Sequence, residues 1–342
     1  NWQLAEPIGT GGMGVVYRAS HRYLEREAAV KVLHPHLAGD SMFRARFLQE
    51  ARAVSRLDHP RVLSLLDFGA DDERHYLVMP LLPDGTLRTL LRQRDAADSL
   101  WSLALGLELV RQAAEGLAYA HAMDMVHRDI KPDNLLLRAV DPADEPDEAQ
   151  PWPWSLCVGD FGLARLADSS RMTASGMTMG TPAYMSPEQC QGLDVDGRCD
   201  IYALGVVLYE MLTGNMPTGV PKPASEMMRE VPPALDDIVA RCVEPTLEKR
   251  FGSAAELRAA IRPIIEMLDE GKDPSRILTR KPRARKASTG VSRQHLAAAA
   301  SVLVILAGII AGLKFVERWN TTGTSETTPA ATLAPEHTAH YE

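Results

Sequence analysis

Cysteine is scarce in this chain: Cys157, Cys190, Cys199 and Cys242 are the only four, and no two of them form a C-x-x-C pair. That sparseness excludes a zinc-finger site or a secreted disulfide scaffold and reads as reduced thiols. A basic excess is also missing. Lys and Arg number 37 against 45 Asp and Glu, a formal net charge of −8, which argues against a nucleic-acid binder and against nucleic acid as a partner. No secretory leader is visible at the N-terminus, and no internal repeat is found. The chain opens at Asn1, without Met and already inside a strand-like pattern, so it reads as a fragment. The rest of the composition is ordinary for a globular protein. With 45% hydrophobic and 24% charged residues over 342 positions, the chain can bury a large core and has length for about two domains.

The charge is unevenly distributed. Residues 271–294 carry eight Lys/Arg against one Asp, including Lys281-Pro282-Arg283-Ala284-Arg285-Lys286, which leaves the first 270 residues strongly acidic. Leu296–Leu313 then runs eighteen positions without a charge. At ~1.5 Å per residue such a helix is roughly as long as the hydrocarbon core of a bilayer is thick. Lys314 can snorkel and Trp319 can sit at the interface, so 295–316 is expected to be a membrane helix. Positive charge stays on the cytoplasmic side. The cluster from Arg276 to Arg293 therefore places the body in the cytoplasm, and residues 317–342 form a short disordered tail outside. Within the body, Asp141–Gln150 is acidic and rich in breakers and is followed by Pro151-Trp152-Pro153-Trp154, which reads as a surface insertion.

Ile8-Gly9-Thr10-Gly11-Gly12-Met13-Gly14-Val15-Val16-Tyr17 contains G-x-G-x-x-G-x-V. Such glycines let a turn approach a polyphosphate and offer it backbone N–H groups. Dinucleotide-binding folds share the pattern but continue into a helix. Val15–Ala19 is strand-like instead, so the loop joins two antiparallel strands. Lys31 lies in the apolar strand Ala28-Ala29-Val30-Lys31-Val32-Leu33, where a cation is costly unless paired. A helix is expected over Ser41–Arg56, with Phe43, Phe47, Val54 and Leu57 on one face. Glu50 lies on that apolar stripe and wants a cation, and Lys31 is the natural partner.

Further on stand His127-Arg128-Asp129-Ile130-Lys131-Pro132-Asp133-Asn134 and Asp160-Phe161-Gly162. With the Gly loop, Lys31 and Glu50 in this order, the set closely resembles the protein-kinase signature over about residues 4–265. The Gly loop resembles most the form GxGGMGxVY found in bacterial, eukaryotic-like (Hanks-type) serine/threonine kinases. The resemblance implies an α+β, two-lobed fold over 1–270. A small antiparallel β-lobe with one regulatory helix covers about 1–82. A larger, mostly helical lobe covers about 83–270, with the insertion at about 138–154.

The resemblance also implies roles, and phosphoryl transfer needs mostly positioning and charge neutralisation. Asp129 is the base for the substrate hydroxyl, Lys131 reaches the γ-phosphate, and Asn134 and Asp160 hold Mg²⁺ or Mn²⁺. Ile8 to Gly14 cover ATP, while Lys31, fixed by Glu50, holds its α- and β-phosphates. Val16, Ala29 and Leu136 sandwich adenine beside the gatekeeper Met79. The carbonyl of Pro80, where many relatives carry Glu, and the N–H of Leu82 meet the adenine edge. Leu65, Val54, Phe161 and His127 form a packed column. Glu188 pairs with Arg250, and Ser186 is expected to replace the family's usual Ala without loss. Asp200 anchors the catalytic-loop backbone. Asn134 and Asp160 are 26 apart, longer than usual, and the stretch after Gly214 is short enough to reduce the substrate-docking helix.

Arg128 implies control by phosphorylation of the 163–183 loop, with Thr173, Ser175 and Thr178 as candidate sites and Thr181 as a substrate-positioning residue near Asp129 and Lys131. The function expected is ATP-dependent phosphorylation of Ser/Thr on proteins, including its own loop, by a membrane-anchored kinase. Gly308-x-x-x-Gly312 in the apolar run allows a homodimer. Two alternatives are a pseudokinase scaffold that binds nucleotide without transfer, and a soluble kinase whose Ala-rich terminal helix docks on its own body.

Overall fold

The structure, a computed structural model, describes residues 1–38, 41–71, 74–93, 101–140, 153–161, 182–217 and 221–270. The chain divides into two units, Asn1–Thr279 and Arg280–Glu342, the second wholly outside the described residues. The expected membrane helix, the basic linker and the tail therefore lie outside them too. Among the described residues no helix is long and apolar enough to cross a membrane.

The N-terminal part is a five-stranded antiparallel sheet in the order β1-β2-β3-β5-β4. Its strands are β1 (Trp2–Gly11), β2 (Gly14–His21), β3 (Glu27–Leu33), β4 (Asp67–Asp71) and β5 (Arg74–Pro80). A short helix α1 (Pro35–Ala38) precedes α2 (Ser41–Val54), which ends two residues earlier than its apolar spacing predicts. Phe43, Phe47 and Ala51 of α2 are buried with Leu33 and Leu77 in one cluster. That stripe fixes which way α2 faces, and so points Glu50 toward the interior of the molecule.

The larger part is helical. It contains α3 (Leu87–Gln93) and α4 (Leu103–Ala122), followed by α5 (Pro187–Cys190), α6 (Arg198–Thr213), α7 (Ala224–Met227), α8 (Pro233–Cys242) and α9 (Ala254–Asp269). Helix α4 starts where the Ser102 hydroxyl accepts from the Leu105 N–H at 3.1 Å, an N-cap that satisfies one open donor. Helix α6 ends at Gly214, whose φ of +73° is a left-handed cap. Leu107 and Leu117 of α4, Leu204 and Val207 of α6, and Leu257 and Ile261 of α9 are fully buried together. At about 25 cal/mol per Å² of apolar area, side chains of this size each contribute roughly 1.5–3 kcal/mol on burial. Helix α7, where the family's docking helix is expected, is only four residues long.

One small antiparallel pair positions the site: β6 (Leu135–Ala139) with β7 (Trp154–Val158). Ala139 faces Trp154, and the Val140 N–H donates to the Pro153 carbonyl at 3.0 Å. The acidic insertion thus leaves from the far end of this hairpin; residues 141–152 themselves lie outside the described residues.

Candidate active site

The near end of the same hairpin brings two distant residues together. Leu135 faces Val158, and the Gly159 N–H donates to the Asn134 carbonyl at 2.9 Å. Asn134 and Asp160 therefore flank one strand end, although 26 positions separate them. The long spacing is absorbed in the turn and does not displace the pair.

The loop before β6 is built on a buried carboxylate. Asp200 is 1% exposed at the start of α6. It accepts from the His127 N–H at 2.8 Å, the Arg128 N–H at 2.7 Å and His121 Nε2 at 2.8 Å. Burial pushes its pKa up, but the His121 hydrogen bond above all, with the hydrogen bond from the His127 backbone N–H, holds it below the ordinary carboxylate range. His127 Nε2 donates to the Gly159 carbonyl at 2.6 Å, which leaves Nδ1 to accept from the Asp129 N–H at 3.2 Å. The His127 ring also meets Phe161 edge to face at 4.7 Å.

On this scaffold Lys131 Nζ lies 2.7 Å from Asp129 Oδ2. Asn134 Nδ2 donates to the Asp129 carbonyl at 2.7 Å and to Oδ2 at 3.1 Å. The amide nitrogen of Asn134 is thus engaged by Asp129, and its oxygen is left as the ligand atom. Asp160 has φ +58°, a strained backbone for a residue with a side chain. Its carboxylate, 37% exposed, takes Lys31 Nζ at 2.8 Å, while Lys31 is buried. Burial pushes the Asp160 carboxyl up, yet Lys31 foremost, with Lys131 behind it, pulls it below the usual range.

The ion pair of Lys31 differs from the one expected. Among the described residues it is made with Asp160, not with Glu50. Glu50 instead lines a cavity behind Met79, together with Val54, Leu65, Asp160 and Phe161. The carboxylate of Asp160 lines the same cavity and reaches Lys31 Nζ at 2.8 Å.

The strand register sets the remaining positions. Lys31 lies across from Val16 on one side and Leu77 on the other, Ala29 across from Met79, and Pro80 across from Ala28 at the end of β5. Leu136 bridges to Thr86. Leu82 follows β5 by two residues. Ile8, Gly9, Thr10 and Gly11 end β1, and the two-residue turn Gly12-Met13 joins it to β2 as a hairpin, with Gly11 facing Gly14. The glycines serve different ends. A Cβ at Gly14 would lie 2.1 Å from the Val32 carbonyl, so Gly14 lets the hairpin pack on β3. Gly11 has open space where a Cβ would be, so no protein atom requires a glycine there.

The family model of the protein kinase domain matches residues 2–266. This chain belongs to the protein kinase family. The serine/threonine-protein kinase PknL of Mycobacterium tuberculosis is 36% identical over 276 residues, 76% of this kinase and 65% of that protein. Pkn1 of Myxococcus xanthus, also a serine/threonine-protein kinase, is 36% identical over 277 residues, 77% of this chain and 38% of its own. The chain spans 38% to 65% of the length of these curated relatives. The crystal structure of the M. tuberculosis PknI kinase domain aligns with a TM-score of 0.60 at 28% identity, covering 77% of this chain and 95% of that one.

Two further features of this kinase belong to the site. Glu188 and Arg250 meet through two bonds of 2.7 and 2.8 Å, both side chains buried. Arg88 of α3 donates to Glu210 and to the Tyr184 hydroxyl, each at 2.6 Å, and lies 3.4 Å from Asp133. Sequence reasoning missed this second cluster. Its signal was Glu210, a carboxylate in the apolar stretch of α6 after Asp200, which demands a cation. Arg128 is half-buried beside Asp129. Its expected partners Thr173, Ser175 and Thr178, and the positioning residue Thr181, lie outside the described residues.

Proposed function

We propose that this chain is an ATP-dependent serine/threonine protein kinase that also phosphorylates its own loop. The observation that carries the reading is the convergence of Asp129, Lys131 and Asn134 within bonds of 2.7–3.1 Å, beside an Asp160–Lys31 pair reached from the opposite lobe. Asp129 accepts the proton of the substrate hydroxyl. Its Oδ2 is held by Lys131 and Asn134, so Oδ1 faces the incoming group. Lys131 is close enough to Asp129 to stabilise its charge and to bridge to a γ-phosphate. Lys31 leaves Asp160 for the α- and β-phosphates of bound nucleotide.

The residues fit a hard cation. Asp160 offers a carboxylate held ionised and Asn134 an amide oxygen, and two protein oxygens suit Mg²⁺ or Mn²⁺, which keeps waters and phosphate oxygens. When bound, the ion neutralises charge on the transferring phosphoryl group. Val16, Ala29, Met79 and Leu136 receive adenine, with Pro80 and Leu82 at its edge. The scaffold alternative calls for loss of Lys31, Asp129 or Asp160, and each is present and engaged.

The polypeptide is further proposed to be anchored by one membrane helix over 295–316, with the kinase domain cytoplasmic and the C-terminal tail outside. Support comes from the uncharged run and its basic flank. Protein substrates, the bilayer and a second copy of the chain are its partners on this reading.

The reading is tested with Asp129→Asn. The variant is expected to bind Mg·ATP like the parent while phosphorylation of a generic basic protein falls by about 10²–10⁴-fold, the contribution of a positioned base. Turnover equal to the parent's would remove Asp129 from the mechanism.

A further inference from the structure

Arg128 has φ +69°, a left-handed backbone that a residue with a side chain holds only where its surroundings over-determine it. The groups that hold it can be traced. The Arg128 N–H donates to Asp200 Oδ1 at 2.7 Å. The next peptide, which joins Arg128 to Asp129, is held at both ends. Its N–H donates to His127 Nδ1 at 3.2 Å, and its carbonyl accepts from Gln189 Nε2 at 2.8 Å. Asp200 belongs to α6 and His127 to the loop itself. Gln189 comes from α5, which otherwise has no part in the chemistry.

The Gln189 amide is locked in one orientation. Its Oε1 accepts from the Ser186 N–H at 3.2 Å and from the Ser186 hydroxyl at 3.1 Å. An N–H can only donate and a carbonyl can only accept, so Oε1 must face Ser186 and Nε2 must face Arg128. Ser186 is fully buried, and its hydroxyl bonds nothing in bulk water. Ser186, which stands where the family usually has Ala, therefore contributes a bond that alanine lacks. Alanine would keep the backbone bond and lose the hydroxyl bond that helps hold the amide.

We propose that Gln189, oriented by Ser186, is a positioning residue for Asp129, fixing the plane of the 128–129 peptide and through it the direction of the Asp129 carboxylate. The inference rests on the reading of Asp129 as the base. It makes the segment that leads into α5 a direct support of the catalytic loop, distinct from the Glu188–Arg250 pair one residue away, which ties α5 to the region before α9.

The test uses the full chain, with steady-state kinetics on a basic protein substrate and direct measurement of Mg·ATP binding. Gln189→Met keeps the volume and removes all three bonds of the amide. A hydrogen bond of ordinary strength predicts that kcat falls about five- to tenfold, with KM for ATP and nucleotide affinity within about twofold of the parent. Gln189→Glu, isosteric but setting a carboxylate against the Arg128 carbonyl, is expected to fall further. Ser186→Ala should lower kcat by about two- to threefold alone and not at all in the Gln189→Met background, because Ser186 acts through Gln189. Should Gln189→Met fail to fold, Gln189→Glu and Ser186→Ala are read by the same split between kcat and KM. A kcat within twofold of the parent for the folded Gln189 variants overturns the proposal. So does a Ser186→Ala effect that is undiminished in the Gln189→Met background, or a loss shared equally by kcat and nucleotide affinity. Asp129→Asn run alongside separates the two readings. If it turns over like the parent, the reading of Asp129 fails and the proposal with it; if it is inactive while the Gln189 series is flat, the proposal alone fails.

Discussion

At the scale of single residues, the Asp160 carboxylate shows how one cation sets the chemistry of a site. It is partly desolvated, which favours the neutral acid, and it is ionised because Lys31 stands 2.8 Å away. Lys31→Met removes that cation and leaves burial to dominate, so the Asp160 carboxyl should titrate at higher pH than in the parent. The sign for stability follows. A carboxyl depressed in the folded state contributes stability above its unfolded value, and that contribution is lost as pH falls through the folded value. The variant lacks it. Carboxyl-carbon NMR of the two proteins between pH 2 and 7, a range chosen to span roughly the carboxylate values, checks the shift; an unmoved midpoint would mean Lys31 does not hold the group. The motif residues were legible because phosphate and metal chemistry demands particular side chains in a fixed order. The partner of Lys31 was not. Glu50 and Asp160 both satisfy the need of a buried cation, and only their distances decide between them. Gln189 was invisible for a related reason: its bond to the Arg128 carbonyl crosses 61 positions and involves a backbone atom that any residue would supply.

At the scale of elements, periodicity found α2 to within two residues because a helix that buries one face repeats its apolar residues. Spacing along the chain was a poorer guide. The gap between Asn134 and Asp160 looked disruptive in sequence, yet a β hairpin tolerates length at its turn while its strand register holds the other end. The Glu188–Arg250 pair joins two elements that sequence places far apart. Arg250 is 2% exposed, and it also donates through Nε to the Glu244 carbonyl at 2.7 Å. Glu188→Ala leaves that guanidinium buried without its counter-charge, at a cost of about 3–5 kcal/mol. In a domain of this size the melting temperature should drop on the order of 10 °C. Glu188→Leu combined with Arg250→Met should cost less than Glu188→Ala, since no charge is then stranded. The pH dependence has a definite sign. Burial pushes the Glu188 carboxyl up, but the Arg250 hydrogen bonds bring it below its ordinary value. Its contribution is therefore present at neutral pH and fades on acidification, and the double variant should lack that part of the acid sensitivity. Thermal melts across pH decide it. A loss under about 1 kcal/mol for Glu188→Ala would put the pair in the class of exposed surface bridges.

At the scale of the whole molecule, an acidic body of about 270 residues is followed by a basic stretch and then by an uncharged run. Such an order suits a kinase domain held at a cytoplasmic membrane face, where the basic stretch meets anionic headgroups and the body is repelled from them. On that proposed topology, assembly within the membrane is one input that needs no ligand outside. Gly308 and Gly312 stand four apart in the run, and small residues at that spacing let two helices approach closely in lipid. Pairing raises the effective concentration of one kinase domain for the other without any new contact between the domains. On the same proposal, phosphorylation of Thr173, Ser175 or Thr178 in trans becomes fast at low expression, and Arg128, beside the base, would receive the new charge. Gly308→Ile with Gly312→Ile in the full chain, reconstituted in vesicles, should lower both crosslinked dimer and autophosphorylation, while phosphorylation of an added soluble substrate by pre-phosphorylated protein stays unchanged. The two readouts should fall together, because on this proposal the glycines act through helix pairing alone. If the variant loses its dimer and still autophosphorylates at the parent's rate, the run serves as an anchor alone, and activation proceeds within one chain.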